Sequence, residues 1–208
     1  MHRTISPRIA RVLPFLLAAA TLAAIPGDLS NPWNVDRSHS EITFKVNHFF
    51  TPVSGTFGDY EIDLIYDDTN VGNSSVDVRI AVASVDTRNE DRDEHLLSAD
   101  FFEAERHPYI TFRSHSVRRV SDEELVATGP LTIKGVSREI ELPIRILGVQ
   151  DIPDDMRAML GGINRVAGFK AETRIRRQDF GVGVGSWAAT LVVGGNVDIE
   201  IALEANQS

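Results

Sequence analysis

WNVDRSHSEITFKVNHFF, spanning Trp33 to Phe50, alternates strictly from Ser40 onward. Ile42, Phe44, Val46 and His48 fall on one side, and Glu41, Thr43, Lys45 and Asn47 on the other. This is the period-two pattern of a strand buried on one face. A helix would need apolar residues three as well as four apart on one face, and the run from Ile42 to His48 alternates by two instead. The alternation predicts the first wall of an apolar interior.

The chain downstream repeats the pattern. Tyr60, Ile62, Leu64 and Tyr66 alternate with Glu61, Asp63 and Ile65, and Asp67-Asp68 with Gly72-Asn73-Ser74 closes that strand in a turn. Val76, Val78, Ile80 and Val82 form the inner face of a return strand that ends near Thr87, so the pair reads as antiparallel. Gly55 and Gly58 stand where a bulge would shift the phase between Phe57 and Tyr60. Residues 88–108 differ in kind: they are charged, lack alternation, contain helix formers and stop at Pro108, which predicts one or two short helices over one end of the sheet.

Strands resume at Tyr109, where Ile110 and Phe112 share a phase with Ser114 and Ser116, predicting a polar inner end. Leu125, Ala127, Gly129, Leu131 and Ile133 run up to a hairpin turn at Lys134-Gly135, and Ile140, Leu142, Ile144 and Ile146 run back. Pro143 lies out of that phase, which places it at an unpaired or bulged site. Residues 148–164 read as a loop at a flexible rim. Ala167, Phe169, Ala171, Thr173 and Ile175 face inward opposite Lys170, Glu172, Arg174 and Arg176; RRQDFGVGVGSW is a second end loop; Val197, Ile199, Ile201 and Leu203 mark the last strand.

About eight one-faced strands joined mostly by short turns are best satisfied by closure, because a closed sheet has no edges and at that strand number can hold one small ligand. The expected fold is therefore all-β: a closed eight-stranded antiparallel, lipocalin-like barrel with a short helical insert at one end. A two-sheet sandwich is the alternative that periodicity does not separate from it.

Residues 1–27 have a basic start at Arg3, Arg8 and Arg11, an apolar run from Val12 to Ile25, then Pro26-Gly27, the layout of a cleaved secretory signal peptide, with an uncleaved anchor as the alternative. Residues 28–208 then form one domain in a periplasmic or secreted protein. The chain has no cysteine, so disulfides, thiolate metal sites and cysteine nucleophiles are excluded. Its 30 acidic and 21 basic residues give a formal charge of −9, a surface that repels nucleic acid.

Several motifs occur in order: W-x-V-D-x-x-H-S-x-I-x-F-x-V from Trp33, R-D-x-H-L-x-S-x-D-F-F from Arg92, P-x-I-x-F-x-S from Pro108, G-x-L-T-I-K-G-V from Gly129 and R-x-D-F-G from Arg177. Together they resemble the YceI-like family of exported lipid-binding proteins, and the resemblance covers nearly all of residues 28–208. It implies a barrel that holds a polyisoprenoid chain, such as the tail of a quinone or a prenyl phosphate, without catalysis and without another cofactor. The inward-phase residues expected to line such a lumen are Ile42, Phe44, Val46 and His48, then Ile62 and Ile80, Phe112 and Ser114, Leu131 and Ile133, Ile144 and Ile146, and Phe169, Ala171 and Thr173. Arg92, Asp93, His95, Arg177 and Asp179 are expected at the rim or near a head group. The implied partners are the isoprenoid lipid and a membrane donor or acceptor protein; oligomeric state is left open.

The rival reading is an enzyme acting on a hydrophobic substrate at Arg92, Asp93 and His95. Their spacing argues against it, since Arg92 and His95 share a helix face while Asp93 points elsewhere, so a structural ion pair or cap is favoured over an Asp-His base. The histidines at 39, 48, 95, 107 and 115 have no HExxH or similar spacing, so no metal site is expected. Residues 181–185, GVGVG, lack the strand-then-helix setting of a phosphate loop, and no G-x-S-x-G marks a serine nucleophile.

Overall fold

The computed structural model describes residues 32–208, so the expected signal segment lies outside the described residues. Twelve strands make one antiparallel sheet: β1 (Asn34–Val35), β2 (Glu41–His48), β3 (Thr51–Phe57), β4 (Tyr60–Ile65), β5 (Ser75–Ala81), β6 (Val85–Asp86), β7 (Tyr109–Arg113), β8 (Ser116–Arg119), β9 (Glu124–Ile133), β10 (Val136–Asp151), β11 (Arg165–Arg176) and β12 (Val193–Gln207). Two helices interrupt them, α1 (Glu90–Leu97) and the single turn α2 (Asp154–Arg157). Among the described residues no helix is long and apolar enough to cross a membrane.

The hydrogen-bonded path runs β4-β5-β7-β9-β10-β11-β12-β2-β3-β6, with β1 on β12 and β8 on β9, and it curls into a half-barrel. The all-β, lipocalin-like expectation holds at that level. The continuous ring of eight strands is replaced by a path with two ends, because long strands are divided where the backbone leaves the ladder: at Gly58-Asp59 between β3 and β4, at Val82–Ser84 between β5 and β6, and at Ser114-His115 between β7 and β8.

Local chemistry accounts for the main junctions. The β9–β10 hairpin pairs Ile133 with Val136 across Lys134 (φ 48) and Gly135 (φ 72), the double left-handed turn that matches strand twist. Along β10 the ladder to β11 shifts register between Ile146 and Gly148, and this bulge carries the strand on to Asp151. The first four residues of the segment read as a loop, 148–164, are therefore strand, and residues 152–164 make the connection to β11. Pro143 pairs in register with Val126 of β9, while the β11 ladder begins one residue later at Ile144, so the missing N–H falls at a ladder end.

α1 opens on Asn89, whose side chain accepts from the Arg92 N–H, and carries Glu90, Asp91 and Asp93 in its first turn, where the helix dipole favours acids. It lies over one end of the half-barrel, with Leu96 and Leu97 on the core. The core itself is the alternating inner face of the sheet, including Ile42, Tyr60, Val78, Ile80, Phe112, Leu131, Ile133, Leu142 and Phe169.

Candidate binding cavity

Packing does not fill the space inside the sheet. A hollow of about 150 Å3 is walled by β2, β5, β7, β9, β10, β11 and β12. Its lining is aliphatic and aromatic, with Thr43 and Thr173 as the neutral polar members and Arg177 as the single charged one. Water gains nothing in such a space, since it would find almost no hydrogen-bond partner. Phe44 lies over Gly55 of the paired strand, where a Cβ would come within 2.4 Å of its ring, so glycine lets the phenyl ring fold against the wall. That ring then meets Phe57 at 5.4 Å.

A second apolar hollow, of about 60 Å3, continues along the interior and shares Val78, Leu142 and Ile201 with the first. Ile62, Leu64, Ile144, Phe169 and Ala171 are among its walls. It ends at an aromatic plug. Trp33 is buried with its indole N–H donating to the Tyr66 carbonyl (3.0 Å), Tyr66 meets Phe169 edge-on at 5.1 Å, and the Arg165 guanidinium lies 5.5 Å over Trp33. Arg165 is paired in turn with Asp68 at 2.8 Å.

At the opposite end a mouth hollow of about 210 Å3 shares Phe44, Val46, Leu96, Phe101 and Val193 with the main one and adds His48, Thr87, Arg92, His95 and Trp187. Arg92 and His95 are already held by polar partners here. Arg92 donates through Nε to the Thr87 hydroxyl and through Nη2 to the Thr87 carbonyl, both at 2.7 Å. Asp93 accepts from the Thr87 N–H (3.0 Å) and from the same hydroxyl, so the two neighbours clasp one buried threonine at the foot of α1. The imidazole Nε2 of His95 lies 3.2 Å from Asp100, which also accepts from the Trp187 indole at 3.3 Å, and the His95 ring packs edge-on against Phe101 and Trp187 at 5.0 Å each. Arg92 and Asp93 thus converge on the backbone and hydroxyl of Thr87, and His95 on Asp100 and two aromatic rings.

Arg177 stands apart from that group. The side chain is 4 % exposed and forms no ion pair among the described residues. Its Nε donates to the Gly194 carbonyl (2.9 Å), Nη1 to Val182 (3.0 Å) and Gly183, and Nη2 to Trp187 (2.8 Å) and Val193 (2.9 Å). Burial pushes its pKa down from the usual guanidinium value. Gly183, at φ +60, comes so close that a Cβ would lie 2.3 Å from Nη1, and only glycine suits both the conformation and the contact. One side chain thus staples the chain from Val182 to Gly194 over the end of the hollow.

Placed on this geometry, the sequence-derived set divides. Ile42, Phe44, Val46, Ile80, Phe112, Leu131, Ile133 and Thr173 lie on the main hollow, and Ile62, Ile144, Phe169 and Ala171 on the second. His48, inward by phase, is exposed at the mouth against Phe49, because it is the last residue of β2 and lies past the wall. Ser114 lines none of the three; its hydroxyl accepts from the Val76 N–H at 2.9 Å and its own N–H donates to the Val76 carbonyl, patching the sheet where β7 ends. Ser116 is exposed, since the break after Arg113 shifts the inward phase to Val117. Ile146 packs against the core beside the β10 bulge, outside the hollows. Arg177, expected at the rim, is inside the wall, while Asp179 is exposed and its backbone carbonyl accepts from Arg138 at 3.2 Å. Leu96, Phe101, Phe102, Phe180 and Val182 line the main hollow from the insert and end loop, where no strand period marks them.

Among the described residues one group brings three metal-ligating atoms within 4.8 Å: Asp36, His39 and Glu204, outside the lumen near the plug. An ion pair of His39 with Asp36 at 2.9 Å, together with the Asp36 cap on the Ser38 N–H, accounts for their proximity.

The architecture has known relatives. BcnA of Burkholderia cenocepacia superposes with a TM-score of 0.73 at 25% identity, over 83% of this chain and 99% of that one. A domain from Saccharophagus degradans described as polyisoprenoid binding superposes at 0.61 with 12% identity, over 86% and 99%, which is a likeness of fold. By sequence, Protein YceI of Escherichia coli O157:H7 is 35% identical over 170 residues, covering 81% of this chain and 82% of that protein. Residues 33–205 match the model of the YceI-like domain, and the chain belongs to the YceI-like family.

Proposed function

We propose that this protein binds a polyisoprenoid lipid, of the quinone or prenyl phosphate type, with its tail in the apolar hollows, and carries or stores it unchanged in an exported compartment. The observation that carries this reading is the run of two adjoining apolar hollows inside the curled sheet, in which the one charged wall residue, Arg177, has its donors turned onto backbone carbonyls. A prenyl tail is long, flexible and apolar, so burial in such a space is driven by its removal from water and needs few polar contacts. Membership of the family and the fold shared with a polyisoprenoid-binding domain support a binding protein over an enzyme.

The closed eight-stranded barrel belongs to this reading. β3 and β4 are consecutive across Gly58-Asp59, with β3 bonded to β2 and β4 to β5; β6 follows β5 and returns to β3. The Gly58 N–H donates to the Ser84 carbonyl (3.1 Å) and the Ala81 N–H to Asp59 (2.9 Å) across the breaks. Counted as kinked but continuous, β3–β4 joins the two ends of the path into a ring that encloses the tail.

The test is titration of lipid-free protein with a long-chain prenol and with a ubiquinone, each incubation also being analysed for product. Saturable binding of intact lipid, lost in Ile133→Asp because a carboxylate then faces the tail, is the expected outcome. Unchanged binding in that variant, or turnover that disappears in His95→Ala, would overturn the proposal.

A further inference from the structure

The mouth of the main hollow is framed by the charged α1 insert and by two further segments, residues 46–58 and 180–197, and neither of these two contains a single Asp, Glu, Lys or Arg in a chain that is 25% charged. They are tied together, the Phe49 N–H donating to the Val192 carbonyl at 2.8 Å. Their tips present large apolar side chains to solvent: Phe50 is 91% exposed, Leu191 71%, Phe49 49% and Val184 43%. Phe49 holds a left-handed backbone (φ 52), unfavourable for a bulky residue, in the turn that turns Phe50 outward. Behind them Trp187, Val53 and Val193 line the mouth itself. Met159 beyond α2, another exposed apolar side chain, is of a different make: Asp154, Asp155 and Arg157 precede it closely.

We propose that these two tips dock the mouth on the neutral interface of a lipid bilayer. This rests on the lipid-binding reading above, which gives the hollow a ligand that resides in membranes. Apolar and aromatic side chains on segments without charge partition into the headgroup boundary, and these two tips can enter it without desolvating an ion of their own. The chain's charged residues, with a formal balance of −9, all lie outside these two segments, so anionic headgroups oppose docking through the rest of the chain. The docked orientation sets the mouth against the bilayer, and the lipid passes between membrane and hollow without crossing water.

Flotation of the lipid-free protein, purified after export and without residues 1–27, with phosphatidylcholine vesicles tests it. The unmutated protein should float at low and at high salt alike. Phe50→Asp and Leu191→Asp should each weaken binding about tenfold or more, as expected for losing one buried large side chain, while Met159→Asp floats unchanged. Circular dichroism and prenol uptake in vesicle-free buffer check that the variants are folded and their hollow intact. Equal flotation of all four proteins would overturn the proposal, as would binding that requires phosphatidylglycerol and vanishes in salt. So would absence of flotation combined with a dimer that Phe50→Asp dissociates in sedimentation, which would assign the patch to a second copy of the chain. If the unmutated protein takes up no prenol in vesicle-free buffer, the carrier reading fails, and flotation still decides docking.

Discussion

The two ends of the half-barrel are closed by opposite means. At one, Trp33, Tyr66 and Phe169 stack in the interior, and charge is placed outside them in complementary pairs, Arg165 with Asp68 and Asp151. At the other, the charged member of the main hollow's wall is the Arg177 guanidinium, and it is met by no carboxylate among the described residues but by a ring of backbone carbonyls. An aromatic plug can leave only by creating a cavity, whereas a loop held by hydrogen bonds can open while the strands beneath stay paired. On the proposed reading, lipid loads at the Arg177 end and its tail points toward Trp33.

Removing the plug should have the largest effect. Trp33→Ala is expected to lower unfolding free energy by about 3 to 5 kcal/mol, the range for truncating a buried aromatic, measured by denaturant titration. Prenol affinity well below the transition should change less than stability does. A variant with wild-type stability would mean that the plug does not close that end.

Arg177→Met is the counterpart at the mouth and should cost about 2 to 4 kcal/mol, less than the unpaired carbonyls alone would imply, because the variant also removes a buried charge. Hydrogen exchange distinguishes a staple from a general core residue. Protection should fall across residues 182–194 and persist in β4 and β5; uniform loss would contradict the local role.

Asp93→Asn tests the clasp on Thr87. Loss of a charge-assisted acceptor predicts about 1 to 3 kcal/mol of destabilisation with prenol affinity little changed. A selective fall in affinity for a prenyl phosphate, with stability intact, would instead place the α1 foot in the head-group site.

Proton linkage should be the smallest effect, and at the plugged end it rests on Asp36, His39 and Asp67. The hydrogen bond from His39 holds the Asp36 carboxyl below its usual 3.8, and the same bond raises His39 above 6.5. The pair's contribution is therefore complete between those two values, is lost as pH rises through the raised His39 pKa, and is lost as pH falls through the lowered Asp36 pKa. Asp67, held down to about 2 by the Thr69 hydroxyl, the Asn70 N–H and the Asn73 amide, keeps its contribution further into acid, losing it between 3.8 and about 2. Comparing melting temperatures of the unmutated protein and His39→Gln from pH 5 to 9 checks the sign: the gap should close toward the alkaline side.

What alternation can report was legible before any coordinates. β2, β4, β5 and β9 carry their inner residues at even spacing, and a one-sided wall has no other economical arrangement. The readings that changed lie where the ladder breaks. Ser114 and Ser116 were assigned by extending the phase of Phe112 across Arg113, but the chain leaves the sheet at His115 and returns one residue out of step, burying Val117. The bulge at Gly148 hides the last turn of β10 in the same way, since Gln150 and Asp151 fall outside the preceding alternation. Arg177 was unreadable for another reason. Beside Arg176 it looks like a surface cation, and its partners are main-chain carbonyls, which have no residue-type signature. The lining contributed by Leu96, Phe101, Phe102 and Phe180 comes from helix and loop, where no period of two exists to mark it.

Native mass spectrometry of the freshly purified protein tests the central claim most directly, because it weighs the occupant of the hollow without presupposing its identity. The account predicts a chain carrying one non-covalent lipid whose extracted mass fits a polyprenyl series, and an Ile133→Asp protein that is folded or partly folded but carries none. An intact chain with no lipid, and no prenol taken up when it is offered, would contradict it.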